Sequence, residues 1–349
     1  MMRRFAAVDG RGVISVEEEP VASPEAGEIL VDVYASLISP GTELGGVKRQ
    51  RANPDASRPL RAFGYSSAGV VMEVGEDVEA YAPGDPVACM GGGYALHASH
   101  GRIPQNLSVP TPEGISHEEA SFNHLAATAM HAVRRAELQL GENVAIVGLG
   151  LVGQLSGQLA RLSGAHVLGL DRFPMRLEAA KDNGFDEVVN VAEADPVEIA
   201  RTFTRGYDMD CAIMCFGGDG TEAFKQAVAM MKTSPDTHKM GRVVIVGGAS
   251  ISHTFAAGLG NLDVRSSARP GAGYHDEAWE YGKREYPPVF MQWTTKRNLE
   301  ESLRLIQEKR LLVEPLITHR YPLAQAPEAC EVLIEHPEES LGVVLLPER

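Results

Sequence analysis

The sequence predicts an α/β protein of two domains, a parallel-sheet domain inserted into a β-rich one. Three observations carry this. At 349 residues the chain exceeds what one hydrophobic core comfortably serves. Near Ser121 its texture changes from short valine-rich runs broken by Gly and Pro to apolar strands alternating with amphipathic helices. The chain then closes on LGVVLLP, a strand-like run without a sheet partner nearby in sequence, whose natural home is the first region.

In the first region EILVDVYAS, SSAGVVMEVG and DPVACM read as strands separated by turn signals, which predicts an irregular β-barrel-like domain with few helices. Beyond Ser121, NVAIVG, HVLGLD, EVVN, MDCAIMCF, GRVVIVG and LDVRSS read as six parallel strands with helices between them. Leu151, Leu155, Leu159 and Leu162 recur at helical spacing and mark one buried face. After Ala268 the alternation stops, and the loop ARPGAGYHDEAWEYGKREYPPVFMQW leads to the helix KRNLEESLRLIQEKR. The expected domains are therefore 1–125 with 269–349, and 126–268, with a cleft at their junction.

Hydrophobic residues make up 44% and charged residues 23%, the profile of a folded soluble chain rather than a disordered one. The formal charge of −15 repels phosphate backbones and anionic lipid, so neither nucleic acid nor a membrane is an expected partner. Cys89, Cys211, Cys215 and Cys330 are scattered without a CxxC pair, which fits buried thiols in a reducing cytoplasm. Cys211 and Cys215 fall in one strand-like run and would share a face, too far apart to bridge easily. The N-terminus has no apolar targeting core and no long apolar run follows, so a cytoplasmic protein is expected.

The stretch NVAIVGLGLVGQLSGQLARL sets Gly148, Gly150 and Gly153 in G-x-G-x-x-G, directly after a strand and opening a helix. The first glycine permits a tight turn, the second lets the backbone approach a pyrophosphate, and the third lets helix and strand pack closely. The helix N-terminus then holds the anion. Asp171 ends the next strand, where a carboxylate accepts from both adenine-ribose hydroxyls and repels a 2′-phosphate, favouring NAD over NADP. Arg172 suits either a 2′-phosphate or a surface or adenine-stacking role.

A β-rich N-terminal part with GTE and GYSSAGVVMEVG, an inserted domain with GLGLVG and a returning C-terminal strand resemble the medium-chain dehydrogenase/reductase family over nearly the whole chain. ISPGTE, GYSSAGVV and YPPVFMQWTTKRN resemble its branch that lacks zinc-site residues and acts on sugars or cyclic polyols. The resemblance implies a GroES-like β-barrel catalytic domain, a Rossmann NAD-binding domain and a homodimer or homotetramer. In the zinc-dependent members the ligands lie in C-G-T-D, in G-H-E and at a position ahead of the second domain. Matching those patterns puts Pro40 on the Cys, Tyr65 on the His, Ser66 on the Glu and His124 on the third ligand position. Pro, Tyr and Ser do not replace thiolate, imidazole and carboxylate as zinc donors, and the four-cysteine structural lobe is missing too, so no zinc is expected.

Without a metal, side chains must carry the proton when an alcohol is oxidised. Histidine titrates closest to neutrality, which makes His124 the leading candidate base. Tyr65 would hold or polarise the substrate oxygen, with Ser66 beside it. Thr42 matches the family's proton-relaying hydroxyl, and Glu43 either orients that relay or is structural. The plain readings stand beside these: a core histidine, a turn tyrosine and a turn-forming threonine. His97, His100, His117 and His131 read as surface or structural, and a metal site rebuilt from His124 with Glu43 or His97 is the lesser alternative.

The resemblance also implies Thr128 against the nicotinamide ring, Val152 within the glycine turn, Arg176 toward the adenine ribose and Gly247 passing its backbone near the nicotinamide. In the late loop His275, Asp276, Trp279, Tyr281 and Trp293 offer aromatic faces and polar tips that suit a polyhydroxylated ring, or equally an interdomain or subunit contact. The expected activity is NAD-dependent, zinc-independent oxidation of a secondary ring hydroxyl of a sugar, glycoside or cyclitol to a ketone. The alternatives are a quinone or enone reductase of the same fold, a type that typically prefers NADPH, and a catalytically silent NAD-binding sensor or interaction protein.

Overall fold

The computed structural model describes residues 1–348. The chain divides into two units, Met1–Ala127 with Pro270–Arg349, and Thr128–Arg269.

The second unit is built on six parallel strands, Asn143–Val147, His166–Asp171, Glu187–Asn190, Cys211–Met214, Arg242–Val246 and Asp263–Ser267. In space they run third, second, first, fourth, fifth, sixth in chain order. The order reverses beside the first strand, which in open α/β sheets is where ligands bind, beyond the carboxyl ends of the strands. Both faces are covered, so the strands are continuous apolar runs; Ala145, Leu168, Ala212, Met214 and Val243 are buried in one core with Phe224.

The helix Leu151–Leu162 buries Leu151, Leu155 and Leu159. Leu162, expected on the same face, is instead 37% exposed, because it is the helix's last residue before the chain turns at Ser163 and Gly164. Cys215 also departs from its expected place: it lies just past the fourth strand, where its N–H donates to the Val147 carbonyl at 2.8 Å. All four cysteines are free thiols.

The first unit holds a seven-stranded sheet and a three-stranded one. Its spine is Glu28–Leu37, antiparallel to Ser66–Val74 along one side. On its other side it pairs with His100–Pro104 through Glu28–Asp32, and with the C-terminal strand Gly342–Leu346 through Ser36 and Leu37. The late strand thus finds its partner more than 300 positions earlier, and Val343, Val344 and Leu345 are fully buried there. Backbone bonds of 2.8 Å from Ala6 N–H to the His97 carbonyl and from Ser99 N–H to the Arg4 carbonyl tie the two sheets together.

This pairing positions the site. Ser36 is opposite Ser67, so the turn after the first strand, carrying Thr42 and Glu43, and the lead-in to the second, carrying Gly64 and Tyr65, come together at one end of the sheet. Among the described residues no helix is long and apolar enough to cross a membrane.

Candidate active site

Pro40–Leu44 forms a wide π-helical turn whose first proline presets the backbone. It leaves Thr42 exposed and turns the Glu43 side chain inward. Glu43 Oε2 accepts from the Ser39 N–H at 3.1 Å and from His97 Nε2 at 3.0 Å. The other nitrogen of His97, Nδ1, meets Ser36 Oγ at 2.9 Å, and its ring stands edge-on to Phe63. A carboxylate oxygen only accepts, so His97 carries its hydrogen on Nε2. His97 is therefore a fully buried, paired residue rather than a surface one, and Glu43 Oε1 is buried without a hydrogen-bond partner.

The Ser39 and Thr42 hydroxyls lie near the Tyr65 phenol and favour its ionised form. Burial, and then the Glu43 charge, pushes that phenol well above the ordinary tyrosine range against the pull of those two hydroxyls. Tyr65 is thus a neutral donor throughout the physiological range. Its ring lies 4.5 Å from that of His124.

His124 opens the helix Asn123–Ala136, and its Nδ1 donates to the Tyr65 carbonyl at 2.9 Å. That bond puts the hydrogen on Nδ1 and leaves Nε2 as the acceptor. Burial holds its pKa down to about 4, against the Tyr65 bond that raises it. The expectation of a base titrating near neutrality is corrected accordingly: at 8% exposure the imidazole is desolvated with no carboxylate beside it to support a charge. Placing a proton on Nε2 at pH 7 costs about 4 kcal/mol at ~1.36 kcal/mol per pH unit.

The same shift makes stability pH-dependent. The folded pKa lies below the unfolded value, so the contribution is intact above about pH 6.5 and is lost as pH falls toward about 4, where the unfolded chain binds a proton that the folded one refuses. The loss amounts to about 3 kcal/mol. Urea midpoints at pH 7 and pH 5 should separate more for the native protein than for His124→Asn; equal separations would count against a buried neutral imidazole.

Tyr274, not singled out from the sequence, completes the cluster. Its ring stands edge-on to His124 at 6.1 Å, stacks on His275 at 3.9 Å, and its hydroxyl accepts from the Gly92 N–H at 2.7 Å. Nothing in the loop sequence says which of its aromatics turns inward. Of the loop residues expected to meet a substrate, only His275 joins this group. Trp279 is 4% exposed, covers Gly273 and stacks with Tyr286, so it anchors the loop instead of offering a face. Asp276 accepts from Tyr286 at 2.7 Å and Arg284 at 3.1 Å, and the Tyr286 hydroxyl holds its carboxyl below the usual range. Trp293 is exposed, with the Arg297 guanidinium 4.0 Å from its ring centre. Ser66 is likewise corrected: it is wholly buried and donates to the Ser121 carbonyl at 2.6 Å, pinning the strand to the segment before His124.

In the second unit Gly148 adopts φ +89° and donates to the Leu170 carbonyl at 2.8 Å. A Cβ on Gly153 would lie 1.9 Å from the Gly148 carbonyl oxygen, whereas one on Gly150 would meet nothing within 4 Å. The turn is therefore packed on its inner side and open on its outer side, which fits a pyrophosphate on the N-terminus of the Leu151–Leu162 helix, where Val152 contributes an early N–H. Asp171 is buried, with Oδ2 accepting from the Leu149 N–H at 2.7 Å and Oδ1 from the N–H groups of Arg172 and Phe173 at 2.7 and 3.0 Å. Arg176 Nη1 approaches it at 4.0 Å, and the Arg172 and Arg176 guanidinium groups each sit 4.8 Å from the Phe173 ring centre. Gly247, at φ +90°, follows the fifth strand, and Thr128 is the first residue of this unit on the Asn123–Ala136 helix.

A protein family described as zinc-binding dehydrogenase matches residues 152–281. The sorbitol dehydrogenase of Bacillus subtilis (strain 168) is 26% identical over 365 residues, spanning 96% of this chain and 95% of its own. In both matches the chain resembles the medium-chain dehydrogenase/reductase family. Solved structures agree on the fold. An Escherichia coli oxidoreductase/dehydrogenase of unknown specificity covers all of both chains with a TM-score of 0.83 at 19% identity. Galactitol-1-phosphate dehydrogenase from Escherichia coli covers 99% of this chain and 100% of its own with a TM-score of 0.78 at 20% identity.

In this oxidoreductase the positions matched to zinc ligands do not suit the metal. Pro40 has no donor atom, Tyr65 keeps its proton, Ser66 is committed to Ser121 and His124 alone offers imidazole. Among the described residues no three His, Cys, Asp or Glu side chains gather as a metal site, and His97 and Glu43 pair with each other.

Proposed function

We propose that this oxidoreductase is an NAD-dependent, zinc-independent dehydrogenase that oxidises a secondary ring hydroxyl of a sugar, glycoside or cyclitol to a ketone. The observation that carries the reading is the pairing of an acceptor and a donor at former ligand positions: the neutral His124, with Nε2 as acceptor, packed 4.5 Å from the neutral Tyr65 phenol. The nicotinamide cofactor, when bound, supplies the hydride acceptor. Tyr65 donates to the substrate oxygen and orients it, and His124 Nε2 accepts its O–H. Because His124 is a weak base, the proton moves onto Nε2 only as hydride leaves the carbon and the oxygen becomes carbonyl. Thr42, exposed and near the Tyr65 phenol, gives the phenol a path to solvent. A homodimer or homotetramer belongs to the same reading, and light scattering checks it.

Asp171 supports NAD. The Arg172 and Arg176 pair around Phe173 favours a second reading, an enone or quinone reductase using NADPH, since two guanidinium groups suit a 2′-phosphate. A panel of sugars, glycosides, cyclitols and enones, assayed with both cofactors before and after exhaustive chelation, separates these. NADH formation from a ring polyol, unchanged by chelation, is expected. Activity abolished by chelation and restored by zinc would overturn the metal-free mechanism, and turnover confined to enones with NADPH would favour the reductase. With a base held near pKa 4, kcat should show no acid limb from His124 above about pH 5.

A further inference from the structure

The first unit contains a basic pocket of about 360 Å³, lined by Gly46, Arg49, Gln50, Asn53, Arg58 and Arg61. We propose that it binds a phosphate monoester or inorganic phosphate dianion. In a chain of net charge −15, three arginines converge on one concavity. Arg58 lies 3.3 Å from the Asp55 carboxylate, whereas the Arg49 and Arg61 guanidinium groups make no ion pair or hydrogen bond among the described residues. The neighbouring Arg51 is committed to Glu331 and to the Gly12 carbonyl. Gln50 adds a buried amide oxygen without a donor, and the reversed amide would present N–H groups instead.

Arg58 has the Asp55 carboxylate as a counter-charge, whereas Arg49 and Arg61 line the same pocket with none of their own, and like charges so placed repel unless an anion joins them. A carboxylate occupies one guanidinium fork. A phosphate dianion presents three terminal oxygens that several forks can share, which matches this donor set.

The pocket's place in the chain suggests its use. Helix Gly45–Ala52 continues directly from the turn bearing Thr42 and Glu43, and Arg61 leads through Phe63 and Gly64 to Tyr65. A phosphate carried by the substrate is therefore one source, an arm that rests on the dehydrogenase reading; free phosphate acting as an effector is the other.

Calorimetry with inorganic phosphate at low ionic strength tests the site without any turnover. The native protein should bind, and the double variant Arg49→Gln with Arg61→Gln should bind at least about tenfold more weakly, while melting at the same temperature. Absence of heat with the native protein, equal affinity in the double variant, or full displacement by sodium chloride at matched ionic strength would overturn the proposal. Kinetics with sorbitol and sorbitol 6-phosphate then separate the sources. A lower KM for the phosphorylated polyol that is lost in the double variant identifies a substrate subsite. Phosphate binding with no such preference identifies an effector site, and absence of turnover with either polyol bears on the dehydrogenase reading alone.

Discussion

Replacing His124 by Ala lowers kcat by about 10²- to 10⁴-fold, the range expected when a positioned general base is removed. The expectation rests on geometry more than on basicity. The Tyr65 carbonyl fixes the ring and its tautomer, so the acceptor role of Nε2 is set by the fold itself. The substitution also deprives that carbonyl of its donor and opens space between Tyr65 and Tyr274, and a stability loss must be separated from lost chemistry. His124→Asn, which keeps a donor for the carbonyl but has no imidazole nitrogen, makes that separation. It should melt closer to the native protein and remain as slow as the alanine variant. Near-normal turnover in a folded His124→Asn protein would move the proton to Tyr65 and Thr42, and Tyr65→Phe would then become the more damaging change.

A methyl group at Gly153 produces the second large effect. Its Cβ would lie 1.9 Å from the Gly148 carbonyl oxygen, a backbone atom of the turn itself, so no flexible side chain can yield and the helix must lift from the strand. Gly153→Ala should cost about 1–3 kcal/mol of stability, as overpacking does, and weaken NADH binding by about 100-fold or more as the turn deforms. Gly150→Ala is the matched contrast. Its Cβ meets no protein atom, so the fold should hold within about 0.5 kcal/mol while the added methyl occupies the space a pyrophosphate would approach. Fluorescence titration with NADH and urea unfolding of both variants read the two quantities. Unchanged NADH affinity in a stable Gly150→Ala protein would remove the dinucleotide from this turn.

The parallel sheet, the glycine turn and the returning tail strand were legible because each is written locally. Apolar runs, helical spacing and the glycines' backbone demands need no knowledge of distant segments. The chemistry of the candidate site was not. Ser36, Glu43 and His97 come from a strand, a turn and a loop that meet only when the sheets pair, and no spacing in the chain announces their bonds. The family match sets Ser66 beside the substrate and residue type offers Trp279 to a sugar ring or to a domain or subunit contact, yet Ser66 is spent on the Ser121 carbonyl and Trp279 on Gly273 and Tyr286.

His124 shows the division most clearly. Its family position made it a candidate, and the general titration range of histidine made it look like a base matched to neutral pH. Tertiary structure decided which nitrogen carries the hydrogen and moved the pKa down to about 4, because desolvation is set by everything packed around the ring. The sequence by itself determined the architecture, the glycine turn and the residue types at the positions matched to zinc ligands, all properties of residue identity and short-range order. Burial, pairing and protonation were decided only in the folded chain, since the dielectric around a side chain is made by residues far from it in sequence.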